Sequence, residues 1–501
     1  MCSPLLIRAD ASPEIGTGHV MRMLALAQAW QRRGGDVKFA AAEMPSQLVA
    51  RLEAENVEVI RLGTDSSDIA PVGSEQDAIH TAKLAKQIGA TWVVADGYVF
   101  KRTFQCTIRE SGLRCAIVTD FDYCDPWQCE LILNQNPHAT HERYCNLIPD
   151  GKHLLGTRFA LLRKEFLDAD TATNDPLTNR PPRILLTLGG SDPTNATGRV
   201  LTLLESCNRP GLDIHVIVGA ANPHRGCLEQ TAKESPHRVE LLSNVDDMPR
   251  QYMWADGIIG AGGSSCWEWL YLGLPGAILV IAENQVPIYE ALTSDGVATG
   301  LGTCKALMED AFETRKQLEQ FLAGIDNGQR RPRQYRHLVD GYGASRVAAA
   351  LDTEIWLRRA TVDDRELYFA WANDSEVRRN SLCSDEIDWP SHCRWFDAQL
   401  STPDAKLFVG MQDEKPVGQI RFNRTAADEW NVGFSVAGAA RGTGIGKELV
   451  RLGTGWMISD GLSPLVATVK VENEASARCF TRFGWEPSIT DDSQLLRFRR
   501  T

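Results

Sequence analysis

Gly16-Thr17-Gly18-His19 places an imidazole on a tight glycine loop, entered from the apolar run Leu5-Leu6-Ile7 and followed at once by an amphipathic helix pattern. That order aims the ring at whatever the loop cradles. An imidazole titrates near neutral pH, so it can take a proton from water or a hydroxyl and return it within one turnover. His19 is the leading candidate catalytic group in the first half of the chain.

A second glycine loop, Arg441-Gly442-Thr443-Gly444-Ile445-Gly446-Lys447, lies between a β-type run ending near Val436 and the helical run Leu449 to Ile458. Glycines there let a diphosphate approach the backbone, and the first amides of the following helix point at it. Two further loops, Gly189-Gly190-Ser191 and Gly262-Gly263-Ser264-Ser265, each follow a strand pattern and precede a helix. Taken singly, each reads as an ordinary connection.

The elements that must carry these loops divide a chain of 501 residues, too long for one core and expected to form about three domains. Short β-type runs alternate with helices from residue 5 to about 166, and again from Arg183 to about 350. Such alternation predicts parallel sheets with sites at their carboxyl edges. A Pro-, Asn- and Thr-rich stretch from Asp168 to Pro182 has linker composition. After Asp352 the pattern becomes one strand, two helical segments and successive strands, an α+β module. The expected domains are 1–170, 182–350 and 354–501, the first two forming a cleft for ligand.

Composition narrows the function classes. The net charge of −12 argues against a general basic face for nucleic acid or an anionic membrane. No apolar stretch approaches the roughly 20 residues of a spanning helix, and no signal-peptide pattern precedes the first strand, so a cytoplasmic protein is expected. The 13 cysteines form no C-x-x-C pair. The dense group Cys106, Cys115, Cys124, Cys129 and Cys145 reads as small apolar residues, and no metal is expected.

Downstream of the Arg441 loop come the strand pattern Leu465 to Lys470, then Asn473-Glu474-Ala475-Ser476, Cys479-Phe480 and Phe483-Gly484-Trp485. With Arg441, Gly444 and Gly446 as R-x-x-G-x-G, residues 354 to 501 resemble the GNAT family of acetyl-CoA-dependent N-acetyltransferases. The resemblance implies that Val436, Arg441, Gly442, Gly444, Ile445, Gly446, Lys447, Asn473, Ser476 and Phe480 bind acetyl-CoA. It also implies direct acetyl transfer to an amine. Phe480 stands where many members carry a proton-donating tyrosine, so Cys479, Ser476 or water must serve the leaving thiolate, unless it leaves unassisted. The segments Trp371 to Arg378 and His392 to Phe396 resemble the acceptor side of sugar-nucleotide amine acetyltransferases and of enzymes that acetylate protein termini. His392 is read as a proton acceptor or as an ordinary half-buried histidine.

Arg8-Ala9-Asp10, Gly16 to Arg22, Val93 to Tyr98, Leu131 to Pro137, Leu155 to Arg163, Leu188 to Pro193, Gly260 to Glu268 and Glu283-Asn284-Gln285 resemble the PseG family of UDP-sugar hydrolases, related in fold to GT-B glycosyltransferases. The fold class implied is α/β, a GT-B-like pair of Rossmann-type domains followed by the α+β GNAT domain. His19 would be the base that activates water at an anomeric carbon, with Asp10, Tyr98, Asn284 and Gln285 positioning water and sugar; Asp10 is alternatively a support of the glycine loop. Gly18, Gly189, Gly190, Ser191, Gly263, Ser264, Ser265, Glu268 and Gln285 would bind UDP, with Glu268 on the ribose hydroxyls. Asp96, Asp120 and Asp122 read either as sugar ligands or as loop caps.

The two resemblances imply successive steps on one UDP-activated amino sugar in pseudaminic acid synthesis: N-acetylation of a 4-amino group, then release of UDP. The alternatives are a glycosyltransferase, or a sugar-nucleotide binding module joined to a protein acetyltransferase. Sugar stereochemistry and oligomeric state stay open.

Overall fold

The computed structural model describes residues 2–12, 15–63, 70–123, 126–148, 151–169, 180–190, 192–207, 211–219, 222–243, 245–327, 334–412, 414–490 and 492–500. Their contacts group into two compact units. The larger comprises Leu5–Gln28 and Lys38–Ala344; the smaller comprises Met1–Pro4, Ala29–Val37 and Ser345–Thr501.

The first sheet contains β1 (Leu5–Ala9), β2 (Val37–Ala41), β3 (Glu58–Arg61), β4 (Trp92–Asp96), β5 (Arg114–Val118), β6 (Leu131–Asn134) and β7 (Lys152–Leu155), in the order β3-β2-β1-β4-β5-β6-β7. Every residue of β1 and β4 is buried, as expected of central parallel strands covered on both faces. Arg8 lies within β1 at 0% exposure. A buried guanidinium needs anionic partners, and Asp10 (2.5 Å) and Asp77 (3.2 Å) supply them.

The second sheet contains β8 (Arg183–Thr187), β9 (Asp213–Ile217), β10 (Arg238–Leu242), β11 (Gly257–Ala261), β12 (Gly276–Val280) and β13 (Ala298–Thr303), in the order β10-β9-β8-β11-β12-β13. All five neighbouring pairs are parallel. In both sheets the strand order reverses beside the first strand, which puts a crevice at the carboxyl ends of the central strands.

The third sheet contains β14 (Ile355–Arg359), β15 (Ala405–Gln412), β16 (Lys415–Arg424), β17 (Trp430–Val436), β18 (Leu465–Lys470), β19 (Glu486–Ile489) and β20 (Leu495–Arg500), ordered β14-β15-β16-β17-β18-β20-β19. Its pairs are antiparallel except β17 with β18, which are parallel and joined only at Trp430–Leu465 and Asn431–Val466. Beyond those pairs the two strands part, opening the sheet toward Val436 and Lys470. The helix Ile445–Ser459 covers the sheet with Leu449, Val450 and Leu452, all buried.

The smaller unit draws in two upstream segments through Asp352. This carboxylate accepts from Arg33 Nη2 and Arg451 Nη2, both at 2.6 Å, and from the Cys2 thiol at 3.2 Å. Burial opposes its ionisation, yet the two guanidiniums hold it below the usual carboxylate range.

The α/β and α+β patterns expected from sequence are observed. Strands β3, β7, β13, β19 and β20 had not been anticipated. β13 reads Ala-Thr-Gly-Leu-Gly-Thr, poor in strand formers, and gains its form by pairing beside β12 at the sheet edge.

Candidate functional sites

His19 begins the first turn of the helix Gly18–Arg32, which follows the loop leaving β1. Asp96 ends β4, Tyr98 follows it, and Asp120 follows β5, so three adjacent strands deliver their groups to one edge. His19 Nδ1 lies 2.5 Å from Asp96 Oδ1. Arg22, one turn along the same helix, donates through Nε to Asp96 Oδ2 (2.6 Å) and through Nη1 to Asp120 Oδ1 (2.7 Å). Tyr98 donates its hydroxyl to Asp120 Oδ2 (2.6 Å) and accepts from Asn284 Nδ2 (3.2 Å). The His19 and Tyr98 rings meet edge to face at 5.2 Å.

The charges follow from these contacts. Burial opposes ionisation of Asp96 and Asp120, but Arg22 reverses that and holds both below the ordinary carboxylate range. Burial, reinforced by Asp120, pushes the Tyr98 hydroxyl well above its usual range, so it stays a donor. With Asp96 ionised and able only to accept, the hydrogen-bond proton lies on Nδ1 of His19, which leaves Nε2 as the nitrogen turned away from the carboxylate.

Sequence reasoning singled out His19, Tyr98 and Asn284, and the structure brings them together. It gives Asp10 a different place. Asp10 Oδ1 accepts from the amides of Ala42 and Glu43, and Oδ2 from Arg8, so it ties down the segment after β2 rather than the glycine loop. Asp96 is 1% exposed and takes His19 and Arg22 instead of a sugar. Asp122 pairs with Arg143 at 2.5 Å. The glycine-loop motif Gly16 to Arg22 contains Arg22, whose role the sequence pattern does not disclose. Its signal was helical spacing, since a residue three positions after His19 shares its face.

At the second sheet, Gly189 and Gly190 follow β8, Gly263, Ser264 and Ser265 follow β11, and Glu283–Gln285 follows β12. These strands are neighbours, so the three loops share one carboxyl edge. Gly189 has φ +94°, a conformation L side chains rarely adopt. Ser191 lies outside the described residues. Glu268, inside the helix Ser265–Tyr271, accepts from Arg163 Nη2 at 3.0 Å and from the Tyr252 hydroxyl at 3.1 Å. Burial raises its carboxyl above the usual range despite Arg163. Gln285 Oε1 accepts from the Ile281 amide at 3.0 Å, which closes the turn after β12.

In the smaller unit, Val436, Arg441, Gly442, Gly444, Ile445, Gly446, Lys447, Asn473, Ser476 and Phe480 all line one cavity of about 1320 Å³. Gly444 has φ +90° and caps the helix Ile445–Ser459. Asn473 Oδ1 caps the helix Glu474–Thr481 by accepting the Ser476 amide at 3.1 Å. Arg441 is held by Asp374 (2.5 Å) and Glu376 (2.9 Å). Ile445 and Phe480 are 4% and 2% exposed, so most of each side chain belongs to the core. Cys479 also lines the cavity, and burial raises its thiol, which therefore stays protonated.

His392 reaches the same cavity. Its Nε2 donates to the Arg365 carbonyl at 2.9 Å, leaving Nδ1 as the basic nitrogen, and burial lowers its affinity for a proton. Sequence reasoning missed a polar stripe on β16: Gln419, Arg421 and Asn423 line the cavity, while Ile420 and Phe422 are fully buried behind them. The signal was strict alternation across a strand.

Among the described residues no group of three His, Cys, Asp or Glu side chains could hold a metal ion, and no helix is long and apolar enough to cross a membrane. Residues 354–486 match the family model for the acetyltransferase (GNAT) domain. Over 493 residues the chain is 22% identical to an uncharacterized protein of Methanocaldococcus jannaschii, covering 96% of each. It is 24% identical over 285 residues to the UDP-2,4-diacetamido-2,4,6-trideoxy-beta-L-altropyranose hydrolase of Campylobacter jejuni, spanning 56% of this chain and 93% of that protein. MurG of Acinetobacter baumannii aligns in structure over 70% of this chain and all of its own, with a TM-score of 0.44 and 17% identity. The chain joins an amino-terminal part similar to a PseG-type UDP-sugar hydrolase to a carboxyl-terminal GNAT acetyltransferase domain that uses acetyl-CoA.

Proposed function

We propose that this protein performs two consecutive reactions of pseudaminic acid synthesis. The acetyltransferase domain acetylates the 4-amino group of UDP-4-amino-4,6-dideoxy-N-acetyl-β-L-altrosamine. The amino-terminal part then hydrolyses UDP-2,4-diacetamido-2,4,6-trideoxy-β-L-altropyranose to UDP and free sugar. The observation that carries the second step is the 2.5 Å contact of His19 with Asp96, alongside Tyr98 and Asn284.

In the acetyl step the amine nitrogen attacks the thioester carbonyl carbon and the carbon–sulfur bond breaks. His392 Nδ1 accepts the amine proton, and the Cys479 thiol protonates the departing thiolate in place of the tyrosine that Phe480 replaces. In the hydrolytic step His19 Nε2 removes a proton from water as its oxygen attacks the anomeric carbon. Asp96 stabilises the imidazolium that forms. The bond from that carbon to the UDP oxygen breaks with inversion, and the loops Gly189-Gly190 and Gly263-Ser264-Ser265 receive the diphosphate through their amides. Both reactions fit the cytoplasm, where acetyl-CoA is supplied.

Hydrolysis in ¹⁸O-labelled water tests the chemistry. The label is expected in the free sugar, and label in UDP contradicts attack at the anomeric carbon. A glycosyltransferase reading draws on the 30% identity over 177 residues to the UDP-N-acetylglucosamine–N-acetylmuramyl-(pentapeptide) pyrophosphoryl-undecaprenol N-acetylglucosamine transferase of Stutzerimonas stutzeri. Free sugar formed with no added acceptor excludes it.

A further inference from the structure

The cavity of the acetyltransferase domain has an uneven charge balance. Glu376 is the sole carboxylate among its described lining residues, and Arg441 already holds it at 2.9 Å. Among the described residues, three lining guanidiniums, Arg378, Arg421 and Arg482, have no carboxylate within ion-pair distance; Arg482 is exposed to solvent, whereas Arg378 and Arg421 are half-buried. Arg378 donates to the Asp385 carbonyl (3.0 Å) and the Ser381 hydroxyl (3.1 Å), while its Nε is buried with no acceptor. Arg421 stands opposite Gly433 on β17, where a Cβ would come within 3.3 Å of its Cζ. The Trp395 ring lies 5.5 Å from its Cζ.

This is a built position. Glycine opposite lets the guanidinium lie against the strand, and the indole supports it from the side. Burial and the charge of Arg378 both disfavour the protonated form of Arg421, while Tyr368 alone opposes them. Two cations facing one cavity without a counter-charge are unfavourable until an anion enters, and guanidinium forks match phosphate oxygens. Beside them Gln419, 5% exposed, donates to Ser435 but leaves its Oε1 buried with no donor. An acceptor oxygen so placed suits an N–H or O–H of the incoming molecule.

We propose that Arg421 and Arg378 form an anion site that reads the diphosphate of the acetyl acceptor, apart from the glycine loop at Gly442 to Gly446. This rests on the acceptor being a nucleotide-linked amine. It makes the domain selective for anionic amines and unreceptive to polycations such as polyamines, which would meet like charge.

The test uses the full chain, acetyl-CoA and two acceptors: the UDP-linked 4-amino sugar and the methyl glycoside of the same sugar. The wild type is expected to favour the UDP-linked form at least tenfold in kcat/KM. Arg421→Gln is expected to raise KM for that form by about 10- to 100-fold and collapse the ratio between acceptors, with KM for acetyl-CoA held; Arg421→Lys should fall between. Equal loss on both acceptors would mean a purely structural role and overturns the proposal. A rise in KM for acetyl-CoA instead would assign the arginine to the phosphates of CoA and overturns it too. Wild-type protein that acetylates the UDP-linked sugar while Arg421→Gln does so equally well defeats the anion site alone. Wild-type protein that acetylates neither sugar defeats the functional reading and the acceptor with it.

Discussion

His19 and Asp96, 77 positions apart in the chain, are joined by a 2.5 Å contact between Nδ1 and Oδ1. That contact fixes which imidazole nitrogen keeps its proton. His19→Ala is expected to lower UDP release by roughly 10²–10⁴-fold while acetyl transfer by the same preparation is unchanged. Asp96→Asn should fall in the same range, because an amide can present its N–H to Nδ1 and favour the wrong tautomer. A coupled UDP assay beside a thiol assay for CoA checks both.

Arg22 bridges the buried carboxylate of Asp96 and the half-buried one of Asp120, and acid should reveal it. Asp96 and Asp120 have folded-state affinities for protons below their unfolded values, so their contribution is complete above the unfolded pKa and is lost as pH falls through the folded one. Stability from this pair therefore persists at neutral pH and disappears only below about pH 4. Arg22→Gln leaves both carboxylates without their cation and should cost about 3–5 kcal/mol. Its acid-unfolding midpoint, followed by near-ultraviolet circular dichroism, should move to higher pH.

Tyr98 links Asp120 to Asn284 through one hydroxyl. Tyr98→Phe keeps the ring against His19 and removes that link. UDP release should fall about tenfold while stability changes by only about 1 kcal/mol. Combining it with Asn284→Ala should cost less than the sum of the two single changes, since both break the same bond.

Gly444 holds φ +90° at the start of its helix. An alanine there carries a strain of about 1–2 kcal/mol. Gly444→Ala should raise KM for acetyl-CoA and leave hydrolysis of already acetylated UDP-sugar intact, as steady-state kinetics with each substrate would show.

Asp352 is the shared partner of Arg33 and Arg451. Asp352→Ala leaves Arg33 without a carboxylate and Arg451 with Glu448 alone, and should destabilise the smaller unit by about 3 kcal/mol. Thermal loss of acetyltransferase activity measures this. A fragment starting at residue 354 lacks both Asp352 and Arg33, and should be less stable than the intact protein by a similar amount.

Much of the site was legible because glycine loops, strand runs and the residues beside them are adjacent in sequence. His19, Tyr98 and Asn284 each stood in a short recognisable segment. The partners of Asp96 and Asp10 were not legible, because a carboxylate at a strand end looks the same whether it meets a histidine, an arginine or a loop amide. Sheet pairing decides which, and pairing joins residues far apart in the chain. Gln419 and Arg421 were hidden for another reason. Along Val417 to Phe422 the apolar residues carry the strand signal, and the alternate polar residues gain meaning only with Gly433 and Ser435 opposite them. The link of Cys2, Arg33 and Asp352 left no local trace either, since each looks like an ordinary residue near a helix or chain end.

The most direct measurement incubates the intact protein with acetyl-CoA and the UDP-linked 4-amino sugar and follows CoA, UDP and sugar by mass. The account predicts CoA release, then UDP, then free 2,4-diacetamido-2,4,6-trideoxy-L-altrose, with UDP release abolished by His19→Ala and CoA release retained. CoA release from the wild type with no UDP release would contradict it.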